Sequence, residues 1–317
     1  MVRNWQVGSG LFSVASNWSP SQAPAAGDSL YVQNGNVQLA GQSFGSSSVQ
    51  STIGLTGAST TGAPTLSLAN ATLTNVEINE APPAPSGMAP TGYYSPKYGA
   101  VSVSGTVVNN GGTIEGGRDS RLAGNLTVSL QPGATLVNKG RLVADPLSRL
   151  TITGTSGTNI ENDKSIVAAG GTVSISAHLT GTGEVDVQVP GSGTTSKVEL
   201  NAAVEAGQTF QIARSVLQID QPASFLGQVD VAGSQGPGQV KLEGLNAASW
   251  DAQGSLVELF DATGARIDTL RFTTPQTPAA LSVYSAPDTT FGHAVMLMPT
   301  VGTVPPTGAT LLPQHIA

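Results

Sequence analysis

The sequence predicts an all-β chain wound as a parallel β-solenoid, with an aromatic cap at its N-terminus and an antiparallel module at its C-terminus. Three observations lead there. The first is a recurring phrase: Val108-Asn109-Asn110-Gly111-Gly112-Thr113-Ile114, then Leu136-Val137-Asn138-Lys139-Gly140-Arg141-Leu142, then Ile160-Glu161-Asn162-Asp163-Lys164-Ser165-Ile166, where Lys replaces the Gly. Its spacing of roughly 24 to 28 residues falls in the range of stacked coils. The second is apolar alternation with period two around each copy, which puts aliphatic residues on one face of a strand and Ser/Thr on the other. The third is composition. Only 10% of the 317 residues are charged and 5% aromatic, with 39 Gly, whereas a compact globule carries about a quarter charged residues.

The same composition excludes several classes. Disorder requires low hydrophobicity with high net charge, and here 39% of residues are hydrophobic. A net charge of −7 opposes duplex nucleic acid, whose readers are basic, and docking by bulk charge on anionic membranes. No apolar run reaches membrane-spanning length, so no membrane insertion is expected. The absence of Cys removes disulfides, thiol nucleophiles and thiolate metal sites. Met1-Val2-Arg3-Asn4-Trp5 is not a secretory leader. An export signal is therefore not visible in this numbering, and removal, a signal elsewhere and retention inside the cell all stay open.

Taken in order, residues 1–35 form a cap segment in which Trp5, Phe12 and Trp18 are large enough to cover an open end of a stack. A solenoid needs such a lid, because a bare last rung exposes apolar side chains and unpaired backbone. Stacking of the two tryptophans on a sugar is the functional alternative. Residues 36–222 form the solenoid. An insertion at 79–99 interrupts it, marked by Pro82, Pro83, Pro85, Pro90 and Pro96, which exclude ladder pairing. Tyr93, Tyr94 and Tyr98 cluster there, either as a contact for a ligand or partner or packed on the solenoid wall. From Ala100 onward Val101/Val103, Leu126/Val128/Leu130, Leu150/Ile152 and Val173/Ile175 open successive strands one coil apart. Residues 223–298 form the C-terminal β module, with a hairpin turn at Asp261-Ala262-Thr263-Gly264 and a final strand from His293 to Met298. Residues 299–317 are a Pro-rich tail with little local structure of its own.

The segment Trp5, Gly8, Gly10, Phe12, Asn17-Trp18-Ser19-Pro20, Pro24, Gly27-Asp28 resembles the opening of secreted bacterial parallel β-helix proteins related to autotransporter passengers and large adhesins. Leu66-Ser67-Leu68-Ala69-Asn70-Ala71-Thr72-Leu73, and the run from Ser224-Phe225-Leu226-Gly227 through Trp250 to Phe272, are similar to other parts of that family. The expected coil is a right-handed β-helix, and the resemblance implies a protein located outside the cell, or on the surface, of a Gram-negative bacterium. Two departures from that family's pattern are a length short for an adhesin and the lack of a membrane-anchoring barrel within these 317 residues.

The Asn of the phrase, at Asn110, Asn138 and Asn162, and the Gly at Gly112 and Gly140 are expected to be structural. Asn tolerates tight turn geometry, and stacked amides bond up a ladder. Glu115, Asp119, Asp145 and Asp163 could supply the paired carboxylates of a glycosidase. Arg118, Arg121, Arg141, Arg149 and Lys164 lie among them, so surface ion pairing explains them equally well. His178, His293 and His315 lack zinc spacing, and calcium-repeat and nucleotide-loop motifs do not occur. No catalytic residue and no cofactor is assigned, although an isolated calcium ion on surface Asp and carbonyls stays open. The expected function is a non-enzymatic structural or adhesive protein of a surface or biofilm matrix. Its expected partner is itself, as a head-to-tail homopolymer, or a cell-surface or matrix polysaccharide. Two alternatives stand: a carbohydrate-active enzyme or phage-type depolymerase on the same fold, and a monomeric glycan-binding adhesin using the tyrosines.

Overall fold

The computed structural model describes residues 1–33, 35–55, 63–79, 97–117, 124–188, 196–231, 238–277, 279–300, 305 and 307–315. Among these residues three sheets wall a continuous core: sheet A with 14 strands, sheet B with 13 and sheet C with 6. The chain visits them in turn. Thr65–Ala69 lies in B, Thr72–Thr74 in C and Val76–Asn79 in A, and the next coil repeats the order with Lys97–Ser104, Thr106–Asn110 and Thr113–Gly116. Within the stack each strand pairs in parallel with its counterpart one coil away, so the chain is a parallel β-solenoid.

Period-two alternation explains why each wall has one register. In sheet B, Val37, Leu66, Val101, Val128, Ile152, Ile175, Leu200, Ile219 and Leu242 occupy one column in consecutive strands. In sheet A the matching inward column is Leu30, Ile53, Ile78, Ile114, Leu142, Ile166, Val185, Phe210, Val229 and Phe272. All are buried. A slip of one residue would turn a whole strand's aliphatics to water, at about 1.5 to 3 kcal/mol for each large side chain. Small and branched residues suffice because each inward position needs only to fill the gap to its own copy above and below.

The stack begins earlier and ends later than the composition implied. Val2–Trp5 pairs in parallel with Ser29–Val32, and Ser9–Leu11 with Asn36–Ala40. The first 35 residues thus supply the first rung as well as its lid. Gln228–Asp230 and Gln239–Glu243 still pair in parallel with the coil before them, and antiparallel pairing starts in sheet B at Gly292–Pro299 and in sheet A at Leu256–Phe260. The antiparallel module is present, with Leu256–Phe260 and Arg266–Phe272 joined through the turn at Asp261. Gly292–Pro299 is not the final strand. Thr310–Leu311 follows it and pairs with Leu281–Asp288. Asn79 and Lys97–Ser104 belong to strands, whereas Tyr93 and Tyr94 lie outside the described residues.

Candidate functional site

The repeated phrase builds a buried amide ladder, one residue away from its expected place in the first copy. Asn109 pairs in register with Asn138, and Asn138 with Asn162. Asn109 Nδ2 donates to Asn138 Oδ1 at 2.9 Å, Asn138 Nδ2 to Asn162 Oδ1 at 2.8 Å, and Asn162 Nδ2 to Gln208 Oε1 at 2.9 Å. Gln208 ends the chain of amides by donating to the Thr180 and Asn162 carbonyls. Asn110 is exposed instead, with its amide toward Thr74 Oγ1 at 3.5 Å. The first corner holds two residues, Asn110 and Gly111, where the second holds only Lys139. Aligning on the glycine therefore displaced the asparagine. Gly112 and Gly140 do occupy equivalent places, since the residues after them pair as Thr113 with Arg141. A Cβ at Gly112 would lie 2.2 Å from the Val76 carbonyl oxygen, and one at Gly140 would lie 2.1 Å from that of Gly112. The ladder's role is to satisfy amides in a dry corner.

The N-terminal lid is partly aromatic and partly ionic. Trp5, Phe12 and Trp18 are buried; Trp18 packs edge-on to Trp5 at 4.9 Å and to Phe12 at 5.6 Å, and Phe12 continues to Phe44 at 4.8 Å. Trp18 Nε1 donates to the Phe12 carbonyl at 2.9 Å. Burial of both tryptophans places them in the lid rather than on a sugar-binding face. Beside them Arg3 takes the core position above Leu30 while only 4% exposed. Its Nε lies 2.6 Å from Asp28 Oδ2, and the Met1 ammonium lies 2.9 Å from Asp28 Oδ1. Burial works against the Asp28 carboxylate, but the Ala25 N–H, Arg3 and the Met1 ammonium outweigh it and hold its pKa below the usual value. Nothing in the alternating pattern distinguished Arg3 from a surface residue.

The C-terminal end is closed by the tail. Thr310–Leu311 joins sheet B, Leu312 enters the core, and Gln314 bridges Trp250 in sheet A. Trp250 Nε1 donates to the Leu312 carbonyl at 3.2 Å, and the His315 N–H donates to the Trp250 carbonyl at 2.7 Å. The His315 ring stacks on Phe260 at 4.0 Å. The tail is therefore built into the fold, and Trp250 is the residue that anchors it.

Strand polarity at the two ends follows from the pairing. In sheet B, Ser9–Leu11 runs with the stack, while three antiparallel steps leave Thr310–Leu311 running against it. In sheet A, Trp18–Ser19 runs against the stack, while Ser249–Gln253, and the tail bridged in parallel to it, run with it. Among the described residues these strands are the last in their sheets. Met1, Val2, Leu11 and Val14 are exposed apolar residues at one end, and Leu311 at the other.

The carboxylates singled out in the sequence do not form a described pair. Asp119, Arg118 and Arg121 lie outside the described residues, and Arg149 bonds Glu199 rather than any of the expected acids. A different cluster, unmarked by any motif, sits on the outer side of sheet B. Lys241 Nζ lies 2.6 Å from Glu243 Oε1 and 2.7 Å from Asp288 Oδ2. Burial raises the Glu243 pKa, and Asp288 and Asp220 push it the same way against the pull of Lys241. The hydrogen bond from Lys241, with the Phe291 N–H, holds Asp288 well below the usual carboxylate range. Two carboxylates poised in opposite directions are the pattern of an acid–base pair. Here Lys241 lies between the two carboxylates, and Glu243 is only 3% exposed. Tyr98 is half-buried on the outer side of sheet B beside Asn125. His178 lies 3.6 Å from Glu205. Among the described residues no group of three metal-ligating side chains gathers and no helix is long and apolar enough to cross a membrane. Neither the protein-family models nor the curated proteins contain a match to this sequence.

Proposed function

We propose that the chain is a non-enzymatic structural or adhesive protein that joins head to tail through its strand edges. We place it in an extracellular or cell-surface matrix of a Gram-negative bacterium, as its resemblance to secreted β-helix proteins implies. The observation that carries the reading is the polarity of the ends. At a junction between two copies, Ser9–Leu11 would meet Thr310–Leu311, and Trp18–Ser19 would meet the tail beside Ser249–Gln253, antiparallel in both sheets at once. Unpaired edges template such pairing, and main-chain hydrogen bonds supply its affinity. The contact uses different surfaces on the two copies, so it propagates into a filament instead of closing. Exposed Leu11, Val14 and Leu311 would leave water at the junction. Electron microscopy and light scattering over a rising concentration series test this. Unbranched filaments with the coil axis along their length are expected, and uniformly monomeric particles at every concentration would overturn the reading.

A further inference from the structure

The tail lies on the C-terminal end as a bound peptide would. Thr310–Leu311 pairs with only Tyr284 and Ser285 of the 8 residues in Leu281–Asp288. The Leu312 N–H donates to the Val283 carbonyl at 2.9 Å, and the chain then passes from sheet B to sheet A. Trp250 meets it there with three groups. Its N–H donates to the Pro313 carbonyl, its Nε1 donates to the Leu312 carbonyl, and its own carbonyl accepts the His315 N–H. The His315 ring lies on Phe260, and its Nδ1 is 3.3 Å from Ser249 Oγ. Among the described tail residues Leu312 alone is buried, and Leu311 beside it is 59% exposed. A segment held by so few buried apolar contacts opens before the coils beneath it do.

We propose that docking of the tail on Trp250 and Phe260 switches the C-terminal end into the form that accepts the next copy of the chain. The inference rests on the head-to-tail reading above. With the tail docked, the outermost strand of sheet B runs against the stack and meets Ser9–Leu11 antiparallel, as the tail in sheet A meets Trp18–Ser19. With the tail released, the outermost strand of sheet B among the described residues is Leu281–Asp288, which runs with the stack. Ser9–Leu11 then faces a parallel partner, while Trp18–Ser19 still faces Ser249–Gln253 antiparallel. Parallel and antiparallel ladders space and slant their hydrogen bonds differently, so the two sheets no longer match one neighbour together. Release also takes away the carbonyl that accepts from Trp250 Nε1 and the Leu312 side chain that enters the core. A neighbour that binds only the docked form shifts the tail toward docking. Trp250 acts through the tail and is a positioning residue for the junction.

The test compares the full chain with one ending at residue 309, by electron microscopy and light scattering, with thermal melts of both to check that the coils stay folded. Filaments are expected from the full chain and none from the shortened one. A synthetic peptide of residues 307–317, added to the shortened chain, is expected to restore them. Hydrogen exchange supplies a readout that a merely stabilising tail would not move: the Leu312, Trp250 and His315 amides should slow when the full chain assembles. If shortening unfolds the end, Leu312→Ser at full length takes its place, with faster exchange at the same amides and loss of elongation expected. A shortened chain that elongates as fast as the natural one or faster overturns this inference and leaves the end-joining reading standing. So does a peptide that fails to restore growth, exchange unchanged by assembly, or growth of Leu312→Ser with its tail released. If the natural chain forms no filaments, both fall.

Discussion

The middle of the stack and its two ends solve the same problem by different means. In the middle every inward side chain meets a near copy of itself, so Val, Leu and Ile in one column need nothing further. At the ends there is no next copy. The N-terminal end covers its last rung with Trp5, Phe12, Trp18 and the buried pair of Arg3 with Asp28, and the C-terminal end reverses strand direction and folds its tail across both sheets. One inward column shows both regimes. It runs Phe44, Leu73, Asn109, Asn138, Asn162 in register, aromatic near the lid and amide in the middle. Among the described residues Asn109 Oδ1 has no partner at the place where the column changes, because the neighbour above it is Leu73. A repeat architecture of this kind distributes stability rung by rung, so damage in the middle should be felt globally and damage at an end locally.

The largest expected effect lies in the middle. Asn138→Ala removes the acceptor for Asn109 Nδ2 and the donor to Asn162 Oδ1 and the Ser165 carbonyl. Weakening these buried hydrogen bonds together costs about 2 to 5 kcal/mol. A chemical denaturation midpoint should fall accordingly, with hydrogen exchange accelerated on several neighbouring coils. Asn110→Ala, one corner residue away from the ladder, should change the midpoint by less than about 0.5 kcal/mol. Equal effects of the two substitutions would mean that the ladder contributes nothing.

That contrast also locates what the sequence made legible. Alternation assigned the walls, because a strand's period is a local property that any residue run displays. The ladder was legible too, but only from the strand side: Val107-x-Asn109, Leu136-x-Asn138 and Ile160-x-Asn162 each place an apolar residue and an amide on the same face, two residues apart. Anchoring on the glycines of the corners missed this, since corners tolerate an added residue where strands do not. The ends were less legible. Arg3 reads as a surface residue, and its burial depends on Asp28, 25 positions later. The tail's Leu312 becomes core only through the distant Trp250. Pairings that occur once leave no periodic trace.

The next effect is local and at the N-terminal end. Arg3→Ala leaves Asp28 buried with the Met1 ammonium as its remaining cation, a loss of about 1 to 3 kcal/mol confined to the first rung. Hydrogen exchange should quicken at Val2–Trp5 and Ser29–Val32 while the middle coils keep their protection. The Asp28 pKa is depressed in the folded chain, so its contribution is fully present above the ordinary carboxylate value of 3.8 and is lost as pH falls through the folded value. Natural protein brought into that acid range should therefore fray at the same rung as the variant does at neutral pH. A replacement of both partners by uncharged residues, Arg3→Met/Asp28→Asn, should recover part of the loss, because it removes the uncompensated charge. Global unfolding of Arg3→Ala in a single step with the middle coils would erase the distinction between end and middle.

The smallest effect has the opposite sign and lies at the other end. Asp268, in Arg266–Phe272 of the antiparallel module, accepts the Thr269 N–H at 2.8 Å, but its Oδ2 is buried and has no partner among the described residues. Burial raises its pKa above 3.8. A carboxyl raised in this way binds its proton more tightly in the folded than in the unfolded chain. Stability therefore declines as pH climbs from the unfolded to the folded value, and the full penalty persists above both. Asp268→Asn keeps an acceptor for Thr269 and removes the charge. It should stabilise the C-terminal module at neutral pH by less than about 1 kcal/mol and make no difference near pH 3, where the natural side chain is already neutral. Thermal melts of the two proteins at the two pH values read the difference directly. A gain that is equal at both would place the effect in packing rather than charge, and a loss at neutral pH would show that the buried carboxylate is held by a contact the amide cannot replace.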